Sequence, residues 1–283
     1  MLSILTFNVG LLAINILGIN LDPVPYIQER LQYVAIELNR LNPDIIALQE
    51  IYAKEDKEYL ISKLKDNYPY HAYHDHNPLI GFKNSFMFFS KKPIISTNYY
   101  RFHNNYSIDE KYFDNKGILV SSIKTKEFGN LTFYNTHTTA GGLFAHPESK
   151  KVDLIRDLQI KQILNLIKKS SDTTSIIIGD INAGINVSEN NYNSILDEGY
   201  IDSYKSKNPS SKEVTWDPKN ILNSDGPHKT SPPQRIDHIF IHKSSNIKVI
   251  SADIVFKEPV VPISKKEIIT ISDHYGVLIK ISK

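Results

Sequence analysis

The sequence predicts an α/β fold in which two β-sheets pack together and helices lie outside them. Many short apolar runs that are typical of strands alternate with a few stretches of helical periodicity. Hydrophobic residues make up 41% of the 283 positions, which is enough for a sizeable core. No repeat or low-complexity tract divides the chain, so a single domain over residues 1–283 is expected.

The N-terminal half begins with a predicted strand over residues 1–9 and continues with a helix from about Pro25. A second apolar run, "PDIIALQE", predicts a strand that ends on Glu50, and another helix is expected at about residues 57–65. Extended segments are predicted at "SFMFFS", "PIISTNYYRF", "GILVSSI" and "LTFYNTHT". The apolar positions of the first helix are Ile27, Leu31, Val34, Leu38 and Leu41.

The C-terminal half begins with a predicted amphipathic helix over residues 149–168. Its apolar stripe is expected to consist of Leu154, Leu158, Ile163 and Ile167. Strands are predicted at "SIIIGDINAG", "RIDHIFIH", "IKVISADIVF" and "YGVLIKIS", and residues 182–234 between them read as rich in loops. Long loops in compact domains are often functional.

Composition limits the classes of function. The net charge of +2 argues against a basic surface for duplex DNA, and the lack of cysteine excludes disulfides, thiolate metal sites and a cysteine nucleophile. No apolar run of about 18 residues occurs, and the apolar stretch near the N-terminus is a poor match to a signal peptide. A cytoplasmic location is therefore expected, with leaderless export left open, and no obligate protein partner is predicted.

Polar side chains fall at the edges of six apolar runs. Carboxylates in such places are costly to bury unless they are paired or bind a metal. If the runs lie side by side, their ends converge on one rim, where oxygen ligands favour Mg²⁺, with Mn²⁺ as a second choice. A hard cation beside a carboxylate-oriented imidazole suits the hydrolysis of a phosphate ester. The residues are Asn8, Glu50, His137, Asp180 with Asn182, Asp237, and Asp273 with His274.

Six motifs in order carry a family resemblance: "TFNVG", "PDIIALQE", "NTHT", "GDINAG", "RIDH" and "SDHYGV". With them the chain resembles the endonuclease/exonuclease/phosphatase superfamily, which includes DNase I, abasic-site endonucleases, inositol-phosphate 5-phosphatases and neutral sphingomyelinases. The resemblance covers residues 6–277 and implies a DNase I-like, four-layer α/β sandwich with a metal-dependent phosphoric diester hydrolase activity.

The resemblance also implies a metal site. Glu50 corresponds to the principal Mg²⁺ ligand, Asn8 assists it, and Asp273 is an outer ligand.

The remaining roles concern the chemistry. His274 corresponds to the general base, and Asp237 orients its imidazole, which also has a physical reason because a carboxylate fixes the tautomer. Asp180 and Asn182 hold the attacking water and a phosphate oxygen. His137 binds the phosphoryl group or helps the leaving oxygen depart.

Three features favour the neutral sphingomyelinase-like branch. The sequence "QRIDHI" departs from the Trp-Cys-Asp-Arg type of motif of the 5-phosphatases. Only five arginines occur, whereas a nuclease needs cations along its cleft. The apolar segment at residues 10–21 would be costly in water if exposed, and it suits peripheral contact with a membrane.

Candidate substrate-binding residues follow from the same branch. They are Lys116, which precedes Gly117 and has Asp114 nearby as a candidate partner, and Trp216 and Asn220 in "TWDPKNILN". The expected substrate is a phospholipid, and the expected reaction converts sphingomyelin into ceramide and phosphocholine. A DNA endonuclease or exonuclease with the same centre is the alternative, followed by an inactive homologue that binds lipid or protein.

Overall fold

A computed structural model describes residues 1–12, 14–16, 19–21, 24–74, 85–107, 110, 116–141, 149–170, 174–224 and 229–283. The helices are α1 (Ile27–Leu41), α2 (Lys54–Leu64), α3 (Lys150–Lys169), α4 (Glu189–Asp197) and α5 (Ser203–Lys207), with a 3-10 turn at Ile221–Asn223. The first strands are β1 (Leu2–Leu11), β2 (Ile14–Ile16), β3 (Ile19–Leu21), β4 (Ile45–Ile51), β5 (Tyr70–Ala72), β6 (Met87–Ser90), β7 (Ile94–Arg101) and β8 (Gly117–Thr125). The others are β9 (Gly129–His137), β10 (Thr174–Asp180), β11 (Tyr200–Asp202), β12 (Asp237–His242), β13 (Lys248–Val255), β14 (Val261–Pro262), β15 (Ile268–Ile269) and β16 (Gly276–Ser282).

Two six-stranded sheets form the centre of the molecule. The first has the strand order β13-β16-β1-β4-β6-β5, and the second has the order β11-β12-β10-β9-β8-β7. Most neighbours are antiparallel, but β1 pairs with β4 and β9 pairs with β10 in parallel. Each parallel pair is connected through a helix, α1 in the first case and α3 in the second, as parallel neighbours require.

The side-chain alternation of the strands creates four layers. In β1, Leu5 and Phe7 pack on α1 and α2, whereas Leu2 and Ile4 face the second sheet. In β10, Ile176 and Ile178 join the core between the sheets, and Ile177 packs beneath α3 and α4. The order of layers is therefore helix, sheet, sheet, helix, and the predicted α/β sandwich of the DNase I-like class is confirmed.

Polar residues continue the inward-facing rows at one end of the sandwich. In the second sheet, Asp180 lies opposite His137 of β9 and opposite Asp237 of β12. In the first sheet, Asn8 lies opposite Gln49. Because apolar residues fill the same rows further along the strands, the polar ends of both sheets are brought face to face.

One detail of the predicted elements is wrong. Leu154 is 60% exposed, because the buried face of α3 includes Arg156 and Gln159, two polar residues that a hydrophobic stripe cannot reveal. The stretch 182–234, predicted to be rich in loops, also contains α4, β11 and α5. Among the described helices, none combines the length and apolar character that a membrane crossing demands.

Candidate active site

Glu50 is turned into the site by an unusual backbone conformation. Strict alternation along β4 would direct its side chain towards the helices, on the side of Leu48. The pairing of β1 with β4 is interrupted between Asn8 and Leu11, and Glu50 adopts a left-handed conformation with φ 61°. A non-glycine residue in this region is strained, and such strain is concentrated at functional sites.

Asn8 links the carboxylates of the two sheets. Its Nδ2 donates to Glu50 Oε1 at 2.9 Å and to Asp180 Oδ2 at 3.1 Å, while its Oδ1 accepts from the Gly10 amide at 3.1 Å. In this arrangement Asn8 serves as a donor that holds two carboxylates together. That its amide oxygen assists in binding the metal stays a prediction.

The second sheet contributes His137, Asp180 and Asn182. His137 Nε2 lies 3.5 Å from Asp180 Oδ2, and its Nδ1 lies 3.8 Å from Glu50 Oε1. Asn182 has φ 50°, donates its backbone amide to Asp180 Oδ1 at 2.9 Å, and donates its side-chain amide to Thr138 O at 3.0 Å. The turn after β10 therefore fixes both the carboxylate and the amide.

His274 is paired with Asp237. Its Nδ1 lies 2.9 Å from Asp237 Oδ2, and its Nε2 faces the site, 3.8 Å from Asp180 Oδ2. Asp237 is fully buried, and its backbone amide donates to Thr215 Oγ1 at 3.1 Å. This fixed pair leaves one imidazole nitrogen of His274 for proton transfer.

The carboxylates and imidazoles of the site shift one another's pKa values. Burial and the negative charge of Asp273 raise the pKa of Glu50 to about 7. Burial and the neighbouring Lys116 ammonium hold the pKa of His137 well below its usual value. Burial alone would lower the pKa of His274, but Asp237 and Asp273 outweigh it and raise that pKa well above its usual value. Opposite shifts in two nearby imidazoles are typical of sites that separate acid and base roles.

Lys116 contacts a site residue directly. Its Nζ lies 2.7 Å from His137 Nε2, and the lysine is 3% exposed. Since an ammonium group can only donate, Nε2 is the acceptor and the neutral imidazole carries its proton on Nδ1. That buried Nδ1 makes no hydrogen bond within the described part of the chain. It therefore points into the site as a free donor.

The other predicted residues lie around this centre. Asp273 Oδ2 is 3.9 Å from His274 Nε2. Trp216 forms backbone bridges with Gln234 and His274, and it is 7% exposed in a small apolar cluster beside the site. Asp114 and the side chains of residues 13–23 lie outside the described residues, although β2 and β3 form a two-stranded antiparallel sheet there.

Asn220 is bound within the protein beside the site. Its Nδ2 donates to Ser272 O at 2.9 Å, and its Oδ1 accepts from Thr270 Oγ1 and from the Leu222 amide. These bonds hold the segment that precedes Asp273. Asn220 therefore has a supporting role, and its contact with substrate stays a prediction.

The residues present fit a hard divalent cation. Ligand atoms of Glu50, His137 and Asp180 all lie within 4.8 Å of one another, as do those of Asp180, Asp237 and His274. The second group already contains the bonded His274–Asp237 pair, and in the first group His137 Nε2 already accepts from Lys116, so Glu50 and Asp180 are the better candidate ligands. Burial and the nearby carboxylate of Asp273 raise the pKa of Glu50, a cost that a bound cation would offset, and oxygen-rich sites suit Mg²⁺ or Mn²⁺.

A buried amide pair beneath the site could not be identified from the sequence. Gln49 Nε2 donates to Asn135 Oδ1 across the two sheets at 2.7 Å, and Asn135 Nδ2 donates to the carbonyls of Leu48 and Met87. Gln49 precedes Glu50, and Asn135 lies two residues before His137. The pair therefore sets how the sheets align below the two functional side chains.

Comparisons with known proteins agree with this geometry. A sequence profile of the Endonuclease/Exonuclease/phosphatase family matches residues 5–274. A Putative neutral sphingomyelinase from Drosophila melanogaster is 27% identical over 286 residues, which cover 96% of this chain. The chain spans 61% of the length of that relative.

Solved structures share the fold over nearly the whole chain. A beta toxin variant from Staphylococcus aureus with bound magnesium ions superimposes with a TM-score of 0.73 at 21% identity, covering 100% of this chain and 99% of the toxin. Sphingomyelinase C from Streptomyces griseocarneus gives a TM-score of 0.69 at 18% identity, covering 98% of each chain. These solved structures show the shared fold, and the Drosophila melanogaster relative confirms the predicted resemblance to a neutral sphingomyelinase.

Proposed function

Because this chain belongs to the Endonuclease/Exonuclease/phosphatase family, we propose that it is a Mg²⁺-dependent phosphodiesterase whose substrate is sphingomyelin. The observation that carries the proposal is the convergence of Glu50 and Asp180 with the His274–Asp237 pair at one end of the two sheets. Likeness to a Putative neutral sphingomyelinase supports the lipid over other phosphodiesters. The apolar character of residues 10–21 supports contact with a membrane surface.

The proposed reaction is an in-line attack of water on phosphorus. The water oxygen bonds to phosphorus and gives a proton to His274, while the bond from phosphorus to the ceramide oxygen breaks and that oxygen takes up a proton, which yields phosphocholine and ceramide. When bound, Mg²⁺ supplies positive charge against the phosphoryl oxygens and lowers the pKa of water. Glu50 and Asp180 are the proposed ligands, and Asp273 acts as an outer ligand.

His274 is the proposed general base. Its Nδ1 is held by Asp237, so Nε2 is the atom that accepts the proton of the attacking water. Asp237 stabilises the imidazolium that results, without taking up the proton itself. Because carboxylates surround the imidazole, its affinity for a proton is greatest before the cation binds.

His137 is the proposed donor to the phosphoryl group. Lys116 occupies its Nε2, so the Nδ1 proton is directed at the substrate. Lys116 is therefore assigned to fixing the tautomer of His137 and to neutralising phosphate charge. Asn182 orients the attacking water beside Asp180, whose Oδ1 already accepts the Asn182 amide.

One parallel assay tests the proposal. Purified protein is offered sphingomyelin vesicles, phosphatidylcholine vesicles, plasmid DNA and an oligonucleotide with an abasic site, each with Mg²⁺ and with EDTA. We expect phosphocholine release from sphingomyelin that EDTA abolishes and Mg²⁺ restores, and that His274→Gln lacks. Cleavage of DNA without lipid hydrolysis would assign the same centre to the nuclease alternative, and inactivity on all four would support a binding-only homologue.

A further inference from the structure

Arg30 is a wholly buried arginine on α1, and its guanidinium binds only backbone. All five of its N–H donors are used, at N···O distances between 2.7 and 3.3 Å. The five acceptors are the carbonyls of Val9, Gly10, Val24, Pro25 and Ile271. Burying this cation is energetically unfavourable, because the hydrogen bonds to the carbonyls must offset the desolvation of its charge.

These carbonyls belong to the segments that carry the metal side of the site. Val9 and Gly10 directly follow Asn8, and Ile271 lies two residues before Asp273. One nitrogen, Nη2, binds both Gly10 O at 2.7 Å and Val24 O at 3.0 Å, so it also joins the two ends of the segment 11–23.

The junction that Arg30 fastens has little freedom. Gly10 has φ +57°, and a Cβ at this position would lie 2.2 Å from Asp273 Oδ1. Ser272 Oγ donates to Asn8 O at 2.7 Å and accepts from the His274 amide at 3.1 Å. A small displacement of the Gly10 carbonyl would therefore move the Asp273 carboxylate.

Among the described residues, no carboxylate is in direct contact with the charge of Arg30. Within the part of the chain that the structure describes, no ion pair to Arg30 occurs within 4.0 Å. Burial lowers the pKa of Arg30 to about 10, and the carboxylates of Asp273 and Glu50 act against that shift from a longer distance. The guanidinium is thus a permanent positive charge behind the metal-side carboxylates.

We propose that Arg30 is a positioning residue that holds the metal-binding side of the site in its working geometry before the cation binds. This inference rests on the proposed function in one respect, that a divalent cation binds beside Glu50. Two explanations of Arg30 make opposite predictions. If Arg30 acted only through its positive charge, removing that charge would strengthen the binding of Mg²⁺, because two cations repel each other. If Arg30 acts through its hydrogen bonds, every substitution weakens the binding of Mg²⁺.

The test measures metal affinity directly. Mn²⁺ binding is followed by the EPR signal of the free ion, and Mg²⁺ binding by calorimetry, at a temperature where circular dichroism shows each variant folded. We expect Arg30→Lys, which keeps the charge, and Arg30→Gln, which removes it, each to raise the Kd about tenfold, the usual scale for residues that support metal ligands. Unchanged affinity in Arg30→Lys, or tighter binding in Arg30→Gln, would overturn the proposal.

Arg156 provides the matched control. It is also fully buried and lies on α3, where its guanidinium donates to Thr139 O at 3.1 Å and to the side chains of Asp153, Ser188 and Asn191. We expect Arg156→Lys to lower thermal stability as Arg30→Lys does but to change the metal Kd less than twofold. An equal shift in both variants would mean general loosening and would refute a specific role for Arg30.

A measurement on the unaltered protein covers the case in which the Arg30 variants do not fold. In protein labelled with ¹⁵N-arginine and free of metal, we expect slow solvent exchange of the Arg30 Nη protons and restricted rotation about its Cζ–N bonds. Fast exchange that slows only after Mg²⁺ is added would contradict organisation before binding. Metal binding that behaves as expected in a protein that does not hydrolyse sphingomyelin would reject the proposed substrate and leave the role of Arg30 intact.

Discussion

Replacing Asp237 by asparagine is expected to lower kcat for sphingomyelin by at least about tenfold and by as much as about 10⁴-fold. The change keeps the size of the side chain but removes the charge that stabilises the His274 imidazolium. His274 Nδ1 lies 2.9 Å from Asp237 Oδ2, and Asp237 is fully buried. Solvent therefore cannot replace the lost charge.

The magnitude follows from the two ways in which the amide can be oriented. With its oxygen towards His274 Nδ1, the bond survives but loses its charge-assisted part, about 1.5 to 3 kcal/mol, or about 10- to 150-fold in rate. With its nitrogen towards Nδ1, the imidazole must carry its proton on Nε2 and cannot act as the base. The other oxygen of Asp237 has no hydrogen-bond partner among the described residues, so no donor there dictates the first orientation.

The assay compares initial rates at saturating sphingomyelin and Mg²⁺ between pH 6 and 9, with the folded fraction measured by circular dichroism. Asp202→Asn is the control, because Asp202 is also buried and its Oδ2 lies 3.1 Å from His238 Nδ1, outside the candidate site. We expect the control to retain a kcat at least tenfold above that of Asp237→Asn. A folded Asp237→Asn variant whose kcat stays within threefold of wild type would refute the assignment of the His274–Asp237 pair.

Three further predictions concern the metal and the core. Glu50→Gln should weaken Mg²⁺ binding more than about tenfold in calorimetry, because it removes a ligand charge; unchanged affinity would exclude Glu50 as the main ligand. Asn135→Ala should lower the free energy of unfolding in urea by about 3 kcal/mol, because it leaves buried polar partners in the first sheet without their bond, and a loss under about 1 kcal/mol would contradict this. Burial would raise the pKa of Asp202, but His238 and Arg235 outweigh it and hold that pKa well below its usual value. The resulting stability is present at neutral pH and is lost on acidification below about pH 4, so urea unfolding of Asp202→Asn should depend less on pH there than that of wild type.

The sequence predicted which strand ends carry the site, because side-chain alternation and strand pairing both follow simple rules. Alternation places Asn8, His137 and Asp180 on inward rows, and parallel pairing brings their strand ends to one edge. Glu50 reaches the same place because its backbone adopts a left-handed conformation, and the pattern of residue types does not predict that conformation. The motif "PDIIALQE" predicted that Glu50 belongs to the site, and the structure shows the backbone conformation that turns its side chain towards it.

Hydrogen-bond partners far apart in the chain were not predictable. The sequence does not show that Asn8 donates to both carboxylates, or that Asn220 is committed to Ser272 and Thr270. The error at Leu154 has a related origin. The buried face of α3 is partly polar, and hydrophobic periodicity assigns such positions to solvent.

The two parallel strand pairs explain why two buried arginines occur in a chain with only five. The connection β1–α1–β4 carries Arg30, and the connection β9–α3–β10 carries Arg156. Each arginine binds a carbonyl near the end of the first strand of its unit, Gly10 within the last two residues of β1 and Thr139 two residues after β9. A metal-dependent site gains affinity when the strand end beside its ligands is rigid before the cation arrives, because any ordering left until binding would reduce affinity. Apolar packing cannot fix a carbonyl, whereas a planar guanidinium can hold several at once, as Arg30 does beside Asn8 and Asp273. Arg156 binds one carbonyl and three side chains, so its bonds stabilise the fold of its own half of the molecule.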